Sequence, residues 1–315
     1  MSDQPNILFI MSDQHDPAVS GCYGDPLVET PNMDRLAAEG VRFDACYTAS
    51  PLCVPARLGF TAGKYISRCG AWGNKSELPS ADYPSIATAL QAAGYHTFLC
   101  GKQHYDATRR YGFTDILPEV GSNYSRKDSK GQRLARRRDP ADETPNPDNW
   151  ARRSAHIHVG DESKTMDHDR LVTRRACQFL EQWPQNTQNR PPFFLFVGHF
   201  APHLPLVAPE EIYRKYRDRV PMPNVPEEVL DRLPRNYKHL RYGFGLTDCE
   251  PEMVKTGREL YWALVDWYDR QLGQILDTLE NSAAADNTIV IYTSDHGENK
   301  GDHGLWWKNN MYEHS

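Results

Sequence analysis

Four short apolar runs, each stopping at polar or charged residues, constrain this chain more than any other feature of its sequence. Asn6 to Met11 stops at Ser12 and Asp13, and His96 to Cys100 at Gly101 and Lys102. Pro192 to Phe200 runs on into Ala201-Pro202-His203, and Thr288 to Thr293 stops at Ser294 and Asp295. Runs of this length, apolar almost throughout, suit strands buried on both faces. Helical spacing fills the intervals. Thr30 stands where a cap would, with Pro31 at the first helical position and Gly40 at the end. Tyr83 to Ala93 precedes Gly94, Arg170 to Trp183 follows, and Thr256 to Leu279 carries Leu260, Leu264, Trp267, Ile275 and Leu279 on a helical repeat. Val41 to Thr48 alternates like a further strand. This alternation predicts an α/β fold, a mostly parallel central sheet flanked by helices on both faces. Residues 105–167 are polar, rich in arginine and without clear period, and read as a long insertion within one domain spanning 1–315.

Composition narrows the function classes. With 39% hydrophobic residues in 315, the chain supports a sizeable core. A net charge of −6 gives no reason to expect nucleic acid, and no apolar run approaches the ~20 residues of a bilayer span, so no membrane partner is expected. The start, Met1 to Met11, lacks a basic end, a long apolar stretch and a small-residue cleavage site, and the expectation is a cytoplasmic protein, or a periplasmic or secreted one if a signal has been removed. The cysteines Cys22, Cys46, Cys53, Cys69, Cys100, Cys177 and Cys249 are scattered and form no CxxC pair, which argues against a disulfide framework or a zinc cluster. Most read as buried thiols.

In open parallel sheets ligands bind beyond the carboxyl ends of the strands. Here Asp13-Gln14, Gly101-Lys102-Gln103-His104, His199 with His203, and Asp295-His296 all fall at such ends. Singly each has an ordinary explanation as a turn or a hydrogen-bonded histidine; together they suggest one site. Asp13 and Asp295 offer carboxylate oxygens, Gln14 a carbonyl oxygen and His296 an imidazole nitrogen. A set this rich in oxygen suits one divalent cation, Ca²⁺ first, with Mn²⁺ or Mg²⁺ as alternatives.

The run Ser50-Pro51-Leu52-Cys53-Val54-Pro55-Ala56-Arg57 places a cysteine just before a helix that Pro55 helps to start. Unpaired N–H groups there favour an anion. The alternative is a buried thiol with Arg57 on the surface. Cys53-x-Pro55-Ala56-Arg57 resembles the signature of the type I sulfatases of the alkaline phosphatase superfamily. Other motifs follow in the same order: Asp13-Gln14 with Gly21-Cys22-Tyr23-Gly24, Gly101-Lys102-x-His104, Ala201-Pro202-His203-x-Pro205, Ser294-Asp295-His296-Gly297, and Lys308 with Met311-Tyr312-Glu313. The resemblance implies that a maturation enzyme converts Cys53 to formylglycine. One hydroxyl of its hydrate attacks sulfur and expels an alcohol; the other loses a proton and releases sulfate. It further implies Asp13, Gln14, Asp295, His296 and residue 53 around the metal, and Arg57 and Lys102 stabilising the diol. His104 would take its proton, and His203 and Lys308 would hold sulfate and protonate the leaving oxygen. Asn74 is implied as a substrate-binding residue, and His199 is the lesser of its pair.

Gln14 and His296 stand where the family commonly has aspartate and asparagine. The same combination is implied for choline-sulfatase-like enzymes and for phosphonate monoester and phosphodiester hydrolases, the alternative activity. A non-catalytic anion-binding remnant is a further alternative, and a C-terminal subdomain usual in the family is expected to be absent or truncated. The substrate is expected to be a sugar, choline or aryl sulfate, and a homo-oligomer is allowed. The basic stretch from Arg126 to Arg138, with Arg152 and Arg153, reads as a solvated loop or a polyanion-binding surface. Trp72, Trp306 and Trp307 read as core residues or as platforms for a sugar or ammonium group.

Overall fold

The structure, a computed structural model, describes residues 4–105, 108–118, 154–183 and 191–315. Its main elements in chain order are β1 (Asn6–Asp13), α1 (Pro31–Glu39), α2 (Cys53–Ala62), α3 (Ile66–Cys69), α4 (Ile86–Ala92), β2 (His96–Gly101), β3 (Thr114–Pro118) and β4 (Ile157–Val159). There follow α5 (Lys164–Gln182), β5 (Phe193–Pro202), β6 (Leu206–Ala208), α6 (Glu210–Tyr216), α7 (Glu227–Arg232), α8 (Arg235–Phe244), α9 (Pro251–Glu280) and β7 (Thr288–Ser294).

Five strands form one sheet in the order β3-β2-β5-β1-β7, and every pairing is parallel. Side chains alternate across it, as strand geometry requires. Leu8, Ile10, Leu195 and Val197 join one core with residues of α5 and α9, while Phe9, Met11, Phe194 and Phe196 join a second core with Phe60 of α2 and residues of α4. The result is the expected α/β arrangement, a parallel sheet between two helical layers. Because all five strands run the same way, their carboxyl ends share one edge.

Several boundaries move for physical reasons. The helix expected from Tyr83 starts at Ile86, because Pro84 keeps its predecessor extended and Ser85 with Thr88 forms a capping box. The helix expected from Arg170 starts at Lys164, where Ser163 accepts from the Met166 N–H at 3.1 Å. Thr30 does not cap α1: its hydroxyl accepts from Gly21 N and donates to Asp34. Val41 to Thr48 is not a strand. Val41, Phe43 and Tyr47 are exposed and the segment has no ladder partner among the described residues. β7 is a sheet edge rather than a buried strand, with Ile289 and Ile291 exposed. The ends of the 105–167 segment belong to the fold, since β3 extends the main sheet and β4 pairs with β6. Its basic stretch, Arg126 to Arg138 with Arg152 and Arg153, lies outside the described residues. Among those described, no helix is long and apolar enough to cross a membrane.

Candidate active site

The shared edge gathers the site. β1 ends on Asp13, and the chain then turns through Gln14 at φ 66°. β2 ends on Gly101 at φ +92°, a conformation natural only to glycine, and a Cβ there would lie 2.3 Å from the Gly198 carbonyl oxygen. This close approach lets Lys102 N donate to Gly198 O at 2.8 Å and sends the lysine side chain over the strand ends. β5 bulges before its end: Met11 pairs with Gly198 but Asp13 with Pro202. The N–H groups of Phe200 and Ala201 donate instead to the Asp169 carboxylate, at 2.8 and 2.7 Å. The bulge brings His203 to the site. β7 leads directly into Asp295 and His296.

Cys53 is the first residue of α2, one position further into the helix than expected, and it is buried. The Asn74 amide oxygen accepts from Val54 N at 3.0 Å, satisfying one of the helix's open donors. Sequence reasoning assigned Asn74 to substrate; here its oxygen is engaged with the helix that carries Cys53. Arg57 is fully buried, one turn along. Its guanidinium binds Asp295 at 2.8 Å and Asp13 at 3.2 Å and donates to Lys102 O at 2.9 Å. Lys102 Nζ meets Asp13 Oδ2 at 2.5 Å. Lys308 Nζ donates to Cys53 Sγ at 3.1 Å and also to Gln14 Oε1. The Lys308 segment is clamped on both sides, with Trp307 N donating to Glu298 and Asn309 N donating to Pro51 O.

His296 Nε2 lies 3.2 Å from Cys53 Sγ, 3.6 Å from Asp295 Oδ1 and 3.8 Å from Asp13 Oδ1. Its Nδ1 lies 3.1 Å from Gly297 O and must carry the proton, so the Nε2 lone pair faces two carboxylates. Arg57, Lys102 and Lys308 offset the two carboxylates, and a cation among the donors would in addition attract the Nε2 lone pair. One ligand atom from each of Asp13, Cys53, Asp295 and His296 lies within 4.8 Å of the others, all four residues being buried. The donor set therefore fits a divalent cation, held by two carboxylates, an imidazole and residue 53.

Charge is concentrated here. Burial raises the Asp13 carboxyl, but Lys102, His203, Lys308 and Arg57 together hold it well below the usual carboxylate range. Burial and Asp13 push the Cys53 thiol up, and Lys308, Lys102 and a hydrogen bond to His203 outweigh them, so the net shift is downward. Burial, reinforced by Lys102 and Arg57, drives the His104 imidazole well below its ordinary value. Burial and Lys308 lower His203, whose Nε2 is 4.0 Å from Asp13 at the partly exposed mouth. His296 falls to about 4, chiefly through burial. Lys308 is raised: burial disfavours its charge, but Cys53, Asp13 and Asp295 hold the proton.

The cluster unites Asp13, Gln14, Cys53, Arg57, Lys102, His104, His203, Asp295, His296 and Lys308. His199 is not among them; it is a buried residue of β5 itself, near Thr173 at 3.3 Å and against the Tyr268 ring. Trp306 and Trp307 are core residues, while Trp72 is exposed. Sequence reasoning missed Glu298, Asp169 and the buried pair of Lys300 with Asp16. Glu298 follows Asp295-His296-Gly297 directly, and that adjacency was the available signal.

The family model described as Sulfatase matches residues 5–315. The chain belongs to the sulfatase family. The chain is 34% identical to the uncharacterised sulfatase YidJ of Escherichia coli, over 96% of this chain and 59% of that protein. It is 31% identical to the choline-sulfatase of Rhizobium meliloti, over 99% of this chain and 61% of that one. The chain thus spans about three-fifths of the length of these curated relatives. Among solved structures, the phosphonate monoester hydrolase of Agrobacterium radiobacter superposes with a TM-score of 0.72 at 25% identity, covering 98% of this chain and 66% of that one.

Proposed function

We propose that this sulfatase hydrolyses a sulfate ester of a sugar, choline or phenol, using residue 53 as nucleophile after oxidation of its thiol carbon to an aldehyde by a maturation enzyme. The observation that carries the reading is the position of Cys53. It starts a helix, touches Lys308 at 3.1 Å and His296 at 3.2 Å, and stands beside two buried carboxylates. Hydration of the aldehyde supplies two hydroxyls, one to attack sulfur and one to collapse. A divalent cation, Ca²⁺ in the first instance, would be held by Asp13, Gln14, Asp295, His296 and residue 53 and would supply fixed positive charge.

The chain's own groups do the rest. Arg57 and Lys102 hold Asp13 ionised and stabilise the nucleophile's charge. His104, kept neutral by burial and adjacent cations, accepts the proton that the second hydroxyl gives up. Lys308 and His203 bind the transferred group and deliver a proton to the leaving oxygen. Fixed cations in a dry site are often the largest catalytic contribution.

A second reading is phosphonate monoester hydrolysis. The 0.72 TM-score to such an enzyme favours it, together with the Gln14 and His296 donors. An aryl sulfate, choline sulfate, sulfated sugars and a phenyl phosphonate monoester, assayed side by side on protein co-produced with a maturation enzyme, separate the two. Mass spectrometry of the Cys53 peptide reports conversion. Preference for the phosphonate would install the second reading. Full conversion with added cation and no turnover of any ester would leave an anion-binding protein.

A further inference from the structure

We infer that Glu298 fixes which end of the Gln14 side-chain amide faces the cation site. The inference rests on the reading of that site as a cation centre. Glu298 is buried, three residues past Asp295. Its Oε1 accepts from Lys300 N at 3.0 Å and from Trp307 N, and its Oε2 accepts from Gln14 Nε2. Oε1 is committed as acceptor to two backbone N–H groups, and the atom of Gln14 that faces Oε2 is the amide nitrogen, so Gln14 presents its NH₂ end to Glu298. The amide oxygen is thereby turned the other way, where Lys308 Nζ donates to it. The Gln14 backbone is pinned as well: its N–H donates to Asp295 Oδ1 at 3.1 Å, and its carbonyl accepts from the Tyr261 hydroxyl at 2.7 Å. What remains is the orientation of the amide, which Glu298, accepting at one end, sets together with Lys308, donating at the other.

A neutral amide at position 298 would remove one of the two partners that set this orientation. Its oxygen must stay on the two backbone N–H groups, which leaves its NH₂ against Gln14. The Gln14 amide then either keeps its NH₂ against that NH₂ or flips and turns its own NH₂ to the Lys308 ammonium and the cation, and in both cases its oxygen is held less firmly on the site. Glu298→Gln keeps size, shape and both bonds that hold the turn. A merely structural role for Glu298 therefore predicts little change. Exchanging the two residues, Gln14→Glu with Glu298→Gln, preserves net charge and restores a donor facing an acceptor.

The test is calorimetric titration of the 315-residue chain with CaCl₂ and with MnCl₂, with thermal unfolding of the metal-free proteins measured alongside. Glu298→Gln should bind the better ion about 10- to 100-fold more weakly, the usual range for losing a ligand's supporting group, with a near-normal metal-free unfolding midpoint. The double exchange should regain most of the loss. Unchanged affinity in the single variant, or a double variant no tighter than the single, would overturn the role of Glu298. A wild-type chain that binds neither ion would instead remove the cation reading on which the inference stands.

Discussion

The ammonium of Lys308 donates to the thiol of Cys53 across 3.1 Å, although 255 positions separate them in the chain. The contact exists because Trp307 and Asn309, on either side of Lys308, are each tied by a backbone N–H, one to Glu298 and the other to Pro51 beside the cysteine. Residue 53 thus faces a cation that its own helix does not supply.

Lys308→Met should lower kcat by about 10²–10³, the range for removing one fixed charge-stabilising group. The loss should be larger for an alkyl ester, whose leaving oxygen needs a proton, than for a nitrophenyl ester. Equal losses on both would dismiss Lys308 as a proton donor.

Arg57→Met leaves Asp13 and Asp295 without the guanidinium they share, in a place water does not reach. Breaking a buried ion pair from one side typically costs about 3–5 kcal/mol. Urea unfolding of the metal-free variant should show a loss of that size, partly recovered by millimolar Ca²⁺. A variant as stable as the parent would mean that Lys102 and Lys308 suffice.

Gly198→Ala puts a methyl group 1.9 Å from the Lys102 carbonyl oxygen, and backbone must yield. Overpacking of this kind costs about 1–3 kcal/mol, and here it also displaces Lys102. A fall in both the unfolding midpoint and turnover is expected. Normal turnover would show that the strand ends separate without moving the lysine.

Acid stability has a separable contribution from His199. Burial holds its imidazole down from the usual 6.5 to about 4. Between those values the unfolded chain binds a proton that the folded chain does not. The stabilisation is complete above the unfolded value and is lost as pH falls through the window toward 4, by about 3 kcal/mol in all. Urea unfolding at pH 7 and pH 4.5 should show a smaller acid loss in His199→Phe than in the parent. Matching losses would assign the effect to other histidines.

Four of the five strands of the sheet were legible because each is a short apolar run bounded by polar residues, and parallel strands put those boundaries on one edge; β3, with Thr114 and Asp115 at its start, was hidden in the stretch read as a polar insertion. Asp13, Lys102, His203 and Asp295 followed from that edge, and Cys53 and Arg57 from one compact motif. The bulge in β5 was not legible, since it depends on Asp169 accepting two N–H groups from a different element. Nor was the Lys300–Asp16 pair, 284 positions apart, because a lone lysine or aspartate carries no sign of its partner. Val41 to Thr48 misled because alternation shows that a segment can be a strand, but a ladder also needs a neighbour.

The complete burial of Arg57 and Asp13 has a bearing on ionic strength. Dissolved ions screen only charges they can approach, and none can enter between these two. Added salt should leave the internal scaffold of charge intact and act on the encounter of an anionic ester with the partly open side at His203. Turnover at saturating ester would then be nearly indifferent to salt, while capture at low ester concentration would weaken as salt rises.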